Sequence, residues 1–277
     1  MAGTSLLDAV YDSVAERSPL SEATVDRVVV GDRLLLVEVD DVESADGDRR
    51  SAGAAHRPPG VLDEDPAGAR ALDVASWATG SSDSSDPLRR AVGVAALNAL
   101  SEPLMDWATG DPFEALASDV SAIATVGLFG PAFRKFGAVD VRVIERQDLE
   151  PPETPEGVSV STYGPDEAEA AIDGVDVVFV TGSTLLYGGT ERYLEAARDV
   201  PDVVLVGATA SFVPEPAFEA GATMLAGARV TDAEAVRRGA VAGECATDLH
   251  DEGMEKVYVT AAVAGGLELD ETPGSEP

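Results

Sequence analysis

The sequence predicts an α/β protein in which a smaller α+β unit precedes a doubly wound, mostly parallel sheet. Three observations carry that expectation. Residues 1–112 read as strands followed by helices, whereas from residue 113 short β-branched runs alternate with helical segments, the pattern of a parallel sheet with crossover helices. At 277 residues the chain is long enough to bury a core without disulfides or a structural metal. A single cysteine, Cys245, excludes an intrachain disulfide framework and leaves a multi-cysteine zinc or iron–sulfur site without ligands.

Leu6, Leu7, Val10, Tyr11 and Val14 recur at helical spacing and predict a first helix. Ala23–Val30 and Arg33–Val39 are apolar runs joined at Gly31-Asp32, a hairpin signal. A polar, turn-rich stretch over 41–50 leads to a third strand at Ser51–His56, and Pro58-Pro59-Gly60 breaks the chain. Pro66 to Ala78 reads as a helix. The serine-rich loop 81–87 then offers Asp86 as an N-cap and Pro87 as the first residue of an apolar helix to Leu100.

From residue 113 onward, strands are expected at Ala122–Leu128, Val139–Ile144, Val158–Ser161, Val175–Val180, Val203–Val206 and Thr223–Leu225, with a last one at Val257–Ala262. Helical segments are expected at 131–137, 166–173, 189–199, 215–220 and 232–242. The unit runs to residue 265, and residues 266–277 are expected to form an acidic disordered tail.

Charge removes several function classes. Asp and Glu number 51 against 19 Lys and Arg, a formal net charge of −32. That argues against nucleic acid and anionic lipid as partners, since phosphate contacts come from cations. Only Lys135 and Lys256 are lysines; every other cation except the two histidines is arginine. An acidic, lysine-poor composition suits a cytoplasm holding molar salt, where the Debye length is only ~3 Å, so a halophile's protein is expected and most carboxylates are read as solvated surface. No run of about 18 apolar residues occurs, and the start lacks a basic region followed by an apolar one. A cytoplasmic protein is expected.

In an open α/β sheet, ligands bind beyond the carboxyl ends of the strands, and three such ends carry suitable residues. Gly127-Leu-Phe-Gly130-Pro131 offers close backbone approach without making a G-x-G-x-x-G fingerprint, and Glu145 ends the next strand where a ribose-binding acid would sit. Thr181-Gly182-Ser183-Thr184 presents hydroxyls and N–H groups before a helix, fit to hold an anion or simply to cap that helix. Gly207, Thr209 and Ser211 repeat the theme on the following strand. Nucleophilic triads find little support: no G-x-S-x-G occurs, and His56 and His250 are the only histidines. Cys245 and His250, five residues apart, and His56 are the only soft candidates for a metal ion, against the plainer reading of His56 as a surface-loop residue.

Several stretches resemble an uncharacterised family named for heavy-metal chelation. They are Ser76-Trp77, the helix Ala91 to Ala99 with Gly93 and Asn98, Thr125-Val126-Gly127, Val178 to Thr184, Val204 to Gly207 continued to Pro214, and Phe218 to Gly227. The resemblance is collinear over about residues 5 to 262. It implies an enolase-N-terminal-like domain over 1–112, a Rossmann-like domain over 113–265, and a cleft between them that handles a metal or a chelator, with Asn98 reaching it from the smaller domain or else bonding backbone. The chain departs from the family at Ala75 and Ala78, beside Ser76-Trp77, where the family often carries a lysine and an asparagine. It departs again in Gly207 to Pro214, which keeps only the first glycine and last proline of a proline-rich loop.

The leading expectation is a cleft binding a small anionic or metal-chelating molecule through Asn98, Gly127, Thr181, Gly182, Ser183, Thr184, Gly207, Thr209 and Ser211. The rivals are an enzyme using NAD(P) or S-adenosylmethionine, and an interaction subunit with no ligand. Protein thiolates are too few for a heavy-metal trap, so a bound metal needs oxygen ligands or a chelator that brings it.

Overall fold

A computed structural model describes residues 5–17, 22–41, 49–80, 86–147, 152–250, 252–261 and 265–269. Most of the polar stretch 41–50, the serines of 81–85 and the end of the chain from 270 lie outside the described residues. The protein is a mixed α/β structure with a small antiparallel sheet and a large, mostly parallel one.

Helix α1 (Leu6–Arg17) buries Leu6, Leu7, Val10 and Val14. Strands β1 (Thr24–Val30), β2 (Leu34–Asp41) and β3 (Arg49–His56) form the small sheet in sequence order. The hairpin at Gly31 is closed by its N–H donating to Leu34 O at 3.0 Å. β2 is buried on both sides: Leu35, Val37 and Val39 enter one core layer, Leu34 and Leu36 another.

The helix expected from Pro66 begins only at α2 (Ala71–Ala75), continued by a 3₁₀ turn over Ser76–Ala78. The reason is tertiary. Gly68 N–H donates to Val25 O at 2.7 Å and Val25 N–H to Ala69 O at 2.9 Å, so the chain here runs along the start of β1 and its backbone groups are taken. Helix α3 (Pro87–Ser101) starts as the sequence predicts, with Pro87 at its first position and Asp86 accepting from Arg89 N–H at 2.9 Å. Every residue from Arg90 to Ser101 is buried, which its small side chains permit. α3 packs on β2 and β3 and reaches the large sheet's helices.

The large sheet contains β4 (Ala108–Thr109), β5 (Ala122–Val126), β6 (Val139–Ile144), β7 (Val158–Tyr163), β8 (Val177–Thr181), β9 (Asp202–Val206), β10 (Met224–Val230) and β11 (Met254–Thr260). Its order is β4-β11-β10-β9-β8-β5-β6-β7. The six strands from β10 to β7 are parallel, and β11 runs antiparallel to both β10 and β4. Between them lie α4 (Ala168–Ile172), α5 (Thr184–Tyr187), α6 (Thr190–Ala196), α7 (Glu215–Glu219), α8 (Ala233–Ala242) and α9 (Ala246–Leu249).

Several expectations change. β10 is more than twice as long as the run Thr223–Leu225 suggests, because it pairs along its whole length with β11, from Met224↔Thr260 to Val230↔Met254. The last strand is correspondingly shifted toward the N-terminus. The segment 131–137 is a four-residue 3₁₀ turn, Ala132–Lys135. One face of the sheet is accordingly covered by chain rather than by long helices, with Phe113, Phe133 and Phe136 packed on Ile123, Phe179 and Val204. The tail is ordered at its start: Leu267 is buried, Gly266 N–H donates to Asp202 Oδ2 at 2.8 Å, and Glu268 N–H to Ala115 O at 2.6 Å. Leu267 supplies the apolar contact that a purely acidic tail lacks.

Candidate functional site

The strand order reverses between β5 and β8: from β5 the chain builds outward through β6 and β7, then returns to add β8, β9 and β10 on the other side. Crossovers leave in opposite directions at such a point and open a crevice at the strand ends. A cavity of about 70 Å³ lies there, lined by Gly127, Glu145, Arg146, Thr181, Ser183 and Tyr187 among others. Gly127 has φ +96°, and a Cβ on it would sit 3.0 Å from Thr181 Cγ2, so glycine lets the ends of β5 and β8 close up.

Thr181 Oγ1 and Ser183 Oγ are 3.2 Å apart and share a hydrogen bond at the cavity wall. Thr184 also lines the cavity, but its hydroxyl is taken: Oγ1 donates to Thr181 O at 2.8 Å and accepts from Thr190 Oγ1 at 2.8 Å. Gly182 is a packing residue, its N–H donating to Val206 O at 2.7 Å and its would-be Cβ 3.1 Å from Ala210. Glu145 lines the cavity, yet its Oε1 accepts from the Arg146 N–H at 2.7 Å.

The cation at this site is Arg146, whose guanidinium lies 4.5 Å from the Tyr187 ring centre, within cation–π range. His56, the last residue of β3, meets the same tyrosine from the small sheet: its Nε2 is 3.2 Å from the Tyr187 hydroxyl. Burial, with Arg146, Arg33 and Arg57 nearby, holds the His56 imidazole below its ordinary pKa. Burial also raises the Tyr187 phenol, against the pull of Arg146 and Arg57. Two hydroxyls, a tyrosine and the Arg146 guanidinium, with the His56 imidazole beside them, form a surface suited to a negatively charged oxygen group.

The remaining expected site residues divide in two. Asn98, Thr209 and Ser211 are internal. Asn98 Nδ2 donates to Ala54 O at 2.9 Å, Ala208 O at 3.1 Å and Thr209 O at 3.3 Å, which ties the loop after β9 to β3. Thr209 Oγ1 accepts from the His56 N–H at 2.9 Å. Ser211 Oγ donates to Ala208 O and accepts from the Ala228 N–H. Of the two readings of Asn98, the backbone-bonding one describes its geometry. Gly207, Cys245 and His250 instead line a separate, larger cavity of about 440 Å³ beside the end of β9 and the middle of β10.

That division bears on a protein-built metal centre. His56 lies against Tyr187, while Cys245 and His250 belong to the other cavity. Among the described residues no group of three or more His, Cys, Asp or Glu is placed to hold a metal ion, so the donor set does not fit a heavy-metal centre made of side chains. The dinucleotide alternative likewise lacks its geometry. The first parallel strand leads into a 3₁₀ turn rather than an α-helix whose N-terminus would receive a pyrophosphate. No described helix is long and apolar enough to cross a membrane. Sequence reasoning passed over Arg146 and Tyr187, which no motif marks; only the pairing of β5 with β8 and the approach of β3 bring them together.

Comparison with known proteins agrees with this architecture. Over 93% of its length the chain superimposes on all of a Pyrococcus horikoshii protein of unknown function from the DUF364 family, with a TM-score of 0.72 at 21% identity. A Desulfitobacterium hafniense protein of unknown function from the same family gives a TM-score of 0.67 at 19% identity, covering 92% of this chain and 98% of that one. These likenesses show the fold. An uncharacterized protein of Methanocaldococcus jannaschii is 30% identical over 159 residues, 55% of this chain, and the match spans only 59% of that relative's length. Residues 11–101 match the model of the DUF4213 family and residues 111–259, more than half of the chain, that of DUF364, both described as "Putative heavy-metal chelation". The chain belongs to the DUF364 family.

Proposed function

We propose that this protein binds a small anionic molecule, including an anionic chelator that brings its own metal, in the crevice between His56 of the small sheet and the ends of β5, β6 and β8. In this reading residues 1–112 form an enolase-N-terminal-like domain and residues 113–265 a Rossmann-like one. The parallel order β7-β6-β5-β8-β9-β10 supports the latter, being the 3-2-1-4-5-6 arrangement of doubly wound sheets.

The observation that carries the reading is the Arg146 guanidinium, stacked on Tyr187 beside the Thr181 and Ser183 hydroxyls at the switch point of a chain whose net charge is −32. Such a chain repels anions over most of its surface, so a guanidinium next to hydroxyls at a strand-end crevice marks a place where an anion is tolerated. The cavity's size sets the ligand's reach. At about 70 Å³ it accommodates one carboxylate or phosphate group, well short of the ~300 Å³ or more of whole-ligand pockets, and the rest of the ligand extends past Tyr187 toward His56. Metal enters as cargo, held by the ligand's oxygens.

The test is thermal unfolding with citrate, with inorganic phosphate, and with nickel or copper alone. Citrate and phosphate are expected to raise the melting temperature, and metal alone to leave it unchanged. Arg146→Gln, at an exposed position, is expected to weaken citrate binding by about tenfold or more, the loss of a charge-assisted hydrogen bond. An Arg146→Gln protein that responds to citrate as the wild type does would refute the assignment.

A further inference from the structure

The larger cavity contains the chain's only two lysines, and they converge. Lys135 comes from the 3₁₀ turn after β5 and Lys256 from β11, 121 residues later. Both ammonium groups donate to the same atom, Asp111 Oδ2, at 2.6 and 2.5 Å. Asp111 is itself almost buried, with 7% of its side chain exposed, and its Oδ1 accepts from the Phe113 N–H at 3.0 Å. Every other cationic side chain except histidine in this sequence is arginine. A compact ammonium with three rotatable donors can share one oxygen with a second ammonium, which a planar guanidinium fork does less well.

The charges do not cancel inside the cavity. At one end two ammonium groups face one buried carboxylate, while elsewhere in the lining Arg33 and Asp248 offset each other as a pair 3.9 Å apart. The second partner of Lys135, Glu114, is 64% exposed, where water and salt screen it. Lys256 uses one of its three donors on Asp111, and Lys135 uses two, on Asp111 and Glu114. An excess of about one positive charge and spare N–H donors therefore face a space of about 440 Å³, which lies within the usual range of small-molecule pockets. Phe113, Leu128, Phe129, Val206 and Ala226 form an apolar wall, and Arg33, Thr247, Asp248 and His250 belong to the rest of the lining. Leu128 is one of four large hydrophobic residues left exposed on the described surface. At Gly207, in the lining, an added Cβ would meet nothing within 4 Å.

We infer that this cavity is a second binding site, distinct from the crevice at β5 and β8, and that it takes an organic monocarboxylate with an apolar body. The ligand's carboxylate sits against Lys135 and Lys256 and supplies the missing negative charge. Its apolar part lies on Phe113, Leu128 and Phe129. A phosphate dianion overcompensates the charge and leaves those walls exposed to water, so the site favours the carboxylic acid class.

Benzoate, with neutral benzamide as its isosteric control, tests this by titration calorimetry on the full chain, all in one salt concentration. Benzoate is expected to bind saturably at one per chain and benzamide to bind at least about tenfold more weakly, as the loss of charge-assisted hydrogen bonds requires. Lys256→Gln and Leu128→Asp are each expected to weaken benzoate by a similar factor. The second variant leaves the Asp111 cluster intact and decides the matter if the first fails to fold. Arg146→Gln is expected to bind benzoate as the wild type does, which separates this site from the anion crevice. No benzoate binding at millimolar concentration, equal binding of benzamide, undiminished binding by Leu128→Asp, or loss in Arg146→Gln would each overturn the inference.

Discussion

His56 and Asn98 both stand where the small sheet meets the large one, and their surroundings assign them different work. Asn98 has its amide nitrogen against three carbonyl oxygens; a helix interior is a costly place for an amide, and those bonds offset the cost on the nitrogen side, while Oδ1 is buried without a partner among the described residues. His56 instead sets its ring against Tyr187. Burial, and then the fields of Arg146, Arg33 and Arg57, hold its pKa below the ordinary 6.5. The sign follows from linkage. With the folded pKa depressed, the unfolded chain takes up the proton more readily below pH 6.5, so this contribution to stability is intact above that pH and fades as pH falls toward the folded pKa. Ring-proton NMR is expected to give a His56 midpoint below 6.5, moving upward in Arg146→Gln. With only two histidines in the chain, a His56→Gln spectrum assigns the signal, and a wild-type midpoint at or above the ordinary value contradicts this account.

Among the elements, α3 shows best how local sequence and packing divide the task. Asp86 and Pro87 mark its start in the sequence and behave as read. What they do not reveal is how closely two other segments approach it. A Cβ on Gly53 of β3 would lie 2.2 Å from Ala95 O, and one on Gly93 of α3 would lie 2.4 Å from Ala78 N. Backbone meets backbone at both places. Gly53→Ala is expected to cost about 1–3 kcal/mol through overpacking, or more if β3 has to lift off the helix. Gly137→Ala is the matched control, since its Cβ meets nothing within 4 Å, and is expected to be neutral or to stabilise by up to ~1 kcal/mol. Urea unfolding with a shifted midpoint and unchanged m-value for the first, and little shift for the second, is the check.

For the molecule as a whole, charge dominates. With 51 acidic against 19 basic residues, self-repulsion favours expansion whenever the Debye length is long, ~30 Å at 0.01 M salt against ~3 Å at 1 M. The ion pairs available are mostly exposed, Arg17–Glu215 and Arg238–Glu234 among them, and pairs of that kind contribute little. The melting temperature is therefore expected to climb with KCl from millimolar to molar concentration, followed by far-ultraviolet circular dichroism. A flat profile would show that packing outweighs the charge at every salt concentration.

The sequence by itself determined the α/β class, the capped start of α3, the hairpin at Gly31 and the hydroxyl-bearing turn after β8, because each rests on periodicity, turn chemistry or capping within a few residues. It marked Gly127, Thr181 and Ser183, which do share a crevice. It grouped with them Thr209, Ser211 and Asn98, whose hydroxyls and amide nitrogen bond backbone, while the Asn98 Oδ1 is buried without a hydrogen-bond partner among the described residues. It joined His56 to Cys245 and His250 as possible metal ligands, and the structure sets His56 against Tyr187 and the other two in the lining of the larger cavity. Tertiary structure alone decided that residues 68–70 follow β1 instead of starting a helix, that Arg146 stacks on Tyr187, and that two lysines 121 residues apart meet on Asp111. The physical reason is the same in each case. A local pattern states which conformation a segment prefers, but which donors remain unsatisfied and which charges become neighbours depends on strand order, and strand order is set by contacts between residues far apart in the chain.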